Sequence, residues 1–241
     1  MIGFISSGLN PPESLTIEET EFLEKCTTIV VDTYTSPNFM KQYKDRNLVF
    51  VTREKMENFE WILDQKGNVG IVIPGESFSA TTHFIIYREA LKRGLEVRIF
   101  HNASVFPTAA TAMGLHLYKV GPAISLPRFT ENFKPLSPYE KILDNRRRGL
   151  HTILLLDTDP PLSLGDALVE LQFMENSAGM NLFRDESEIG VVSCLGMPEE
   201  RIIFGTIKKI REAKSPTPPI TIIVPGELHF QEREAVELFR E

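Results

Sequence analysis

Short apolar runs recur along this chain, and each gives way to polar residues. Ile2–Ile5, Thr28–Val31, Leu48–Val51, Val69–Ile73 and Val97–Phe100 are rich in Val and Ile. Short apolar runs of this kind predict β-strands. Between them lie segments of helical spacing. Glu13–Thr27 carries Leu15, Glu18, Glu19, Phe22 and Leu23, with Ser14 or Thr16 placed to cap its start. Asn58–Gln65 predicts a second helix, ended by Lys66-Gly67. Strands alternating with helices predict parallel pairing and right-handed crossovers.

The clearest β-α-β unit is VGIVIPGESFSATTHFIIYREALKRGLEVRIFHNAS, Val69–Ser104. Both of its strands run into polar turns, PGES and HNAS, on one edge of the sheet. In open α/β sheets the crevice beyond the carboxyl ends of the strands is where ligands bind. A helix is expected to begin near Phe78, capped by Ser77 or Ser79, with its free N–H groups offered to an anion or carboxylate. Ser104 is expected to open the next helix, which includes the small-residue stretch TAATAMG.

Beyond Ser104 the texture changes. Pro122, Pro127, Pro135 and Pro138 punctuate Gly121–Tyr139. Helices are predicted over Tyr139–Arg148 and Leu162–Asn176, and strands over Thr152–Leu156, Ile189–Cys194 and Ile220–Val224. Ile202–Ile210 mixes branched and basic residues. Alternation is less regular here, which predicts a mixed sheet. The division is placed near Lys119–Gly121, separating an N-terminal α/β domain (1–119) from a C-terminal one (120–241). IVIPGE (Ile71–Glu76) recurs as IIVPGE (Ile222–Glu227), and reads as two apolar strands each stopped by a Pro-Gly turn.

A composition 42% hydrophobic over 241 residues is enough for a sizeable core. A formal charge of -7 argues against nucleic acid as an obligate partner. Arg146-Arg147-Arg148, before Gly149, reads as a solvated helix end. Two cysteines, Cys26 and Cys194, make no disulfide framework and fit a reducing compartment. MIGFISSGLN has no basic region followed by a long apolar core, so it does not read as a signal peptide. No stretch is long and apolar enough to predict a membrane span. The chain reads as a soluble cytoplasmic protein.

At the sheet edge, Glu76 offers a carboxylate that could accept both hydroxyls of a ribose, against the plainer reading of an exposed turn residue. SSGLN holds one glycine where a dinucleotide fingerprint needs three, and no P-loop or nucleophile elbow occurs. The five histidines, His83, His101, His116, His151 and His229, show no metal-ligand spacing. Cys194 reads as a small buried thiol. His83 and His101 flank the crevice and are expected to make local hydrogen bonds; they are candidate bases by proximity alone. No catalytic residue is assigned. Groups suited to a nucleoside, without acid-base machinery, fit group transfer by positioning, as in methyl transfer from a sulfonium.

GESFSATTH (Gly75–His83), FHNAS (Phe100–Ser104), GLHLYKVG (Gly114–Gly121), FTENFKP (Phe129–Pro135), NRRRGLHTILLLD (Asn145–Asp157) and IIVPGELH (Ile222–His229) resemble the diphthine synthases, a branch of the tetrapyrrole-methylase fold. Thr33–Ser36 and Thr52–Glu54 resemble two further family segments. The resemblance covers most of the chain. It implies two α/β domains, the first with a parallel sheet and the second with a mixed one, and the ligand cleft between them. It implies S-adenosylmethionine as methyl donor, with S-adenosylhomocysteine as product, and usually a homodimer. The expected substrate is translation elongation factor 2, methylated on a histidine that bears a 3-amino-3-carboxypropyl arm. Cofactor contacts carried over by position fall on Leu9, Glu76, Ser79, Ser104, Val105, Leu156, Leu195 and Ile220. The family pattern has GDPF where this chain has GESF, a glycine-rich first loop where it has SSGLNPPE, and a histidine at Ile220. An alternative built on these differences is a homologue that binds elongation factor 2 without efficient transfer.

Overall fold

The structure, a computed structural model, describes residues 1–33 and 48–241. The TYTS segment beyond Thr33 lies outside the described residues. The chain forms two compact units, Met1–Val105 and Phe106–Glu241.

In the first unit the order is β1 (Ile2–Ser6), α1 (Ile17–Glu24), β2 (Thr28–Asp32), β3 (Leu48–Val51), α2 (Arg53–Glu57), α3 (Glu60–Leu63), β4 (Val69–Ile73), α4 (Phe84–Lys92) and β5 (Val97–Phe100). The strands form one parallel sheet in the order β3-β2-β4-β1-β5. Side chains alternate between its faces. Phe4, Val30, Ile71 and Ile73 pack with Met56, Ile62, Leu63, Ile86 and Ala90 from α2, α3 and α4. Ile5, Val31 and Val72 point the other way and pack with Phe22 and Leu23 of α1. The Phe22 ring lies where a side chain on Gly3 would stand, so that glycine lets α1 approach β1 closely.

Thr16 caps α1: its hydroxyl accepts from Glu19 N, and the Glu19 carboxylate accepts from Thr16 N. Ser14 has a different task, accepting from Asn10 N and donating to Ser7 O within the first loop. The helix expected over Asn58–Gln65 starts earlier, at Arg53 capped by Thr52, and breaks between Asn58 and Phe59 into α2 and α3.

The expected helix start near Phe78 is corrected. Ala80 adopts a left-handed conformation (φ 57), which interrupts any helix through PGESFSATTH, and α4 begins at Phe84. Ser77 and Ser79 cap nothing there. The His83 N-cap position has no side-chain cap either.

In the second unit the order is α5 (Val105–Ala112, whose first residue closes the first unit), β6 (Ile124–Leu126), α6 (Ser137–Arg147), β7 (Thr152–Leu156), α7 (Leu164–Ala178), β8 (Glu188–Ser193), β9 (Arg201–Thr206), α8 (Ile207–Glu212), β10 (Ile220–Val224) and α9 (Phe230–Glu237). The sheet order is β6-β7-β10-β8-β9, with β6 parallel to β7 and the other pairs antiparallel. This is the mixed sheet the sequence predicts. Leu126, Leu154, Val191, Ile203 and Ile222 form one core layer with Tyr139 and Ile142 of α6, Leu168 and Leu171 of α7, and Ile207 and Ile210 of α8. Behind the sheet, Met113 fills the space that Gly190 leaves open. Ile202–Ile210 resolves into most of a strand and the first part of a helix, divided by Thr206, which caps α8. Arg146–Arg148 end α6 exposed to solvent, followed by Gly149 at φ 70.

Candidate functional site

Strand order alone marks a place in the first unit. β1 leads through α1 to β2 on one side, and β4 leads through α4 to β5 on the other. Right-handed crossovers then put α1 and α4 on opposite faces, which is how the two core layers are populated. β1 and β4 are neighbours, so the chain leaves their carboxyl ends in divergent directions. That is a topological switch point.

The loops at this edge are tied together. Gly8 and Gly75, both at φ 71, exchange backbone hydrogen bonds of 3.2 and 2.9 Å. Beneath them the Ser6 and Ser77 hydroxyls meet at 2.8 Å, fully buried, and the Ser7 hydroxyl donates to Ile73 O. Ser77 is thus a strut between the β1 and β4 loops. The Glu76 carboxylate reaches the β5 loop: Oε1 lies 2.8 Å from His101 Nδ1, and Oε2 accepts from Asn102 N at 3.0 Å. The Asn102 side chain donates to Ser14 O and to Glu19 Oε2, both at 2.9 Å. One asparagine therefore joins the loops after β1, β4 and β5 to the first turn of α1. Burial raises the Glu19 carboxyl above its ordinary range, against hydrogen bonds from Thr16 and Asn102 that pull it down.

Of the residues expected at this edge, Leu9 follows Gly8, Glu76 and Ser79 belong to the β4 loop, and Ser104 and Val105 lead directly into α5. All five are half-buried. His83 is not available: it is fully buried, with Nε2 3.3 Å from Asp32 Oδ2 at the end of β2. Burial lowers its pKa to about 4.

The second unit collects the other three. Leu156 ends β7, Ile220 begins the antiparallel β10 beside Ser193, and Leu195 follows β8. They share one edge of that sheet and are nearly buried, at 6%, 5% and 8% exposure. Cys194, between β8 and Leu195, donates through Sγ to Thr217 O and Pro218 O. Burial pushes its thiol up, so it is a structural thiol rather than a nucleophile.

The opposite edge of the second sheet holds a centre that sequence reasoning missed. The buried Glu232 carboxylate accepts from His116 N and His151 Nε2 on one oxygen, and from Lys119 Nζ and His229 N on the other. Burial works against this carboxylate, but those donors hold it at about 2. Gly226 N donates to His151 Nδ1, which fixes that ring with its proton on Nε2. GLHLYKVG, GLHT and GELH all converge on this one carboxylate.

The family model for Tetrapyrrole (Corrin/Porphyrin) Methylases matches residues 1–211. The chain belongs to the tetrapyrrole methylase family. Within that family it lies in the diphthine synthase branch. A diphthine synthase of Thermoplasma acidophilum is 36% identical to it, over 100% of this chain and 96% of its own. A diphthine methyl ester synthase of Saccharomyces cerevisiae is 29% identical, over 94% of this chain and 84% of its own. A solved diphthine synthase superposes with a TM-score of 0.87 at 24% identity, covering 99% of this chain and 95% of that one, and so shares the fold. No helix among the described residues of this tetrapyrrole methylase is long and apolar enough to cross a membrane.

Proposed function

We propose that this chain is an S-adenosylmethionine-dependent methyltransferase acting on the modified histidine of elongation factor 2 in diphthamide formation. Its full-length likeness to relatives named as diphthine synthases carries the reading. The alternative of a scaffold that binds without transfer draws no support from those relatives.

The first-unit edge suits the cofactor. Glu76 presents a carboxylate at a switch point, with a hydrogen bond already on each oxygen and lone pairs remaining for a ribose diol. A Cβ built on Gly75 meets nothing nearer than Ala103 O at 3.9 Å, so bare backbone lies open beside it. Leu9, Glu76, Ser79, Ser104 and Val105 hold the cofactor from the first unit. On the second unit, Leu156, Leu195 and Ile220, carried over from the family pattern, are read as further apolar cofactor contacts. Bound S-adenosylmethionine supplies the methyl group. The protein's own contribution is positioning: in-line alignment of reacting atoms can supply about 7–11 kcal/mol of a barrier. The same reading makes the protein a cytoplasmic homodimer.

Two measurements test this. Calorimetry with S-adenosylhomocysteine should show binding. Elongation factor 2 carrying the 3-amino-3-carboxypropyl histidine should gain mass in methyl increments when incubated with enzyme and S-adenosylmethionine. Absence of binding at millimolar ligand, or no mass gain, refutes the reading.

A further inference from the structure

An ammonium group must lose a proton before its nitrogen can take a methyl group. The described residues hold five histidines, and position separates them. His116, His151 and His229 gather around Glu232, on the opposite edge of the second sheet from Leu156, Leu195 and Ile220. His83 is fully buried against Asp32. His101 alone among them stands at the first-unit edge with an open side chain, 72% exposed.

Its geometry is specific. His101 Nδ1 lies 2.8 Å from Glu76 Oε1, and a carboxylate there accepts, so Nδ1 carries the proton. That leaves Nε2 with its lone pair, turned away from the carboxylate. A carboxylate on one ring nitrogen that orients the imidazole and pairs with its charged form is the arrangement of a general base. Glu76 is fixed in turn by Asn102 N. The surrounding charges are Glu76 itself, Glu19 of α1, joined through Asn102, and the Arg98–Glu18 pair at the base of the same strand.

Resting on the function proposed above, we propose that His101 is the general base that deprotonates the acceptor ammonium. The ammonium proton passes to His101 Nε2. The freed nitrogen lone pair forms the new N–C bond while the bond from the methyl carbon to sulfur breaks, its electron pair staying on sulfur. The imidazolium, paired with Glu76, then releases its proton to water.

The test compares wild type with His101→Asn, whose side-chain amide can still donate to Glu76, and with His101→Ala. S-adenosylhomocysteine affinity should stay within about threefold of wild type in His101→Asn. Its turnover on elongation factor bearing the 3-amino-3-carboxypropyl histidine should fall at least ~100-fold at neutral pH, the scale of a lost general base. The deficit should shrink toward about pH 9 to 10, where the acceptor amine becomes neutral unaided. Added imidazole should restore part of the activity of His101→Ala. Nitrogen-15 spectra of the wild-type protein should show neutral His101 protonated on Nδ1. A His101→Asn enzyme with wild-type turnover, a loss that is the same at every pH, or a neutral ring protonated on Nε2 overturns the assignment. Failure of the wild type to bind S-adenosylhomocysteine or to methylate overturns the functional reading instead, and His101's role with it.

Discussion

Gly8 and Gly75 exchange a pair of backbone hydrogen bonds across the switch point between β1 and β4. Both need a left-handed backbone, yet their surroundings differ. A Cβ on Gly8 would stand 2.8 Å from Ser14 Oγ and 3.0 Å from Asn102 Oδ1, whereas one on Gly75 meets only Ala103 O, at 3.9 Å.

Gly75→Ala should therefore cost only the left-handed penalty, about 1–2 kcal/mol. Gly8→Ala should cost more, because Ser14 and Asn102 must also shift. At roughly 2–4 °C per kcal/mol for a chain of this size, thermal melts should rank wild type above Gly75→Ala above Gly8→Ala. Equal melting temperatures for the two variants would contradict the packing described.

Asn102 is the next test of the same edge. Asn102→Ala removes the donors to Ser14 O and Glu19 Oε2. Glu19 Oε2 keeps Thr16 N, but the part-buried Ser14 carbonyl loses its side-chain donor, a loss of about 1–3 kcal/mol. Asn102→Asp should be worse, since it sets a carboxylate against the Glu19 carboxylate and a carbonyl. S-adenosylhomocysteine affinity should fall in the same order. Wild-type affinity in Asn102→Asp would show that this side chain does not hold the edge in its binding shape.

Much of this fold is legible in the sequence. β3, β4, β5, β7 and β10 lie where the apolar runs place them. β4, β7 and β10 are buried along nearly their whole length, which is why their sequences are almost continuously apolar. The helix start after PGES is not legible, because it turns on the backbone of one residue, Ala80. β6 is three residues among prolines, and α9 is largely polar, so neither leaves a periodic trace. Strand ends point to the site edge. The work of Asn102 does not show, although HNAS is plain, because its partner Glu19 is 83 residues away in sequence. The Glu232 centre is hidden for the same reason: its donors come from separate segments of the chain.

Acid should destabilise the protein in two stages. His83 titrates near 4 in the folded chain against 6.5 unfolded, so between those values the unfolded state binds more protons. Stability is then complete above about pH 6.5 and falls as pH drops toward 4, by up to about 3 kcal/mol. The Asp32 carboxylate, 3.3 Å away, tempers this. Burial lowers His151 too, in the same direction, with Glu232 opposing. Glu232, held at about 2 against 4.5, keeps its contribution above about pH 4.5 and loses it as pH falls toward 2. Urea midpoints measured from pH 7.5 downward should decline first below about 6.5. His83→Gln should flatten that first decline. A variant with an unchanged slope would contradict this assignment.

Glu175 supplies a prediction confined to the second unit. Its carboxylate accepts from Tyr139 OH and from Asn181, Leu182 and Phe183 N, all at 2.8–2.9 Å. Burial opposes the charge, but these donors hold the carboxyl below its usual range. Glu175→Gln puts a donor among four donors, and should cost about 1–3 kcal/mol. Its melting temperature should drop while S-adenosylhomocysteine affinity, measured well below the melt, stays at the wild-type value. A changed affinity would mean that this carboxylate reaches the site.

The central claim is that the switch-point edge, with Glu76 at its centre, binds S-adenosylmethionine. Calorimetric titration of S-adenosylhomocysteine into wild type and Glu76→Ala tests it most directly. Wild type should bind saturably, and Glu76→Ala roughly 5- to 150-fold more weakly, the scale of a lost buried hydrogen-bonding partner. Wild-type protein that takes up no ligand at millimolar concentration, or a Glu76→Ala variant that binds as tightly as wild type, would contradict it.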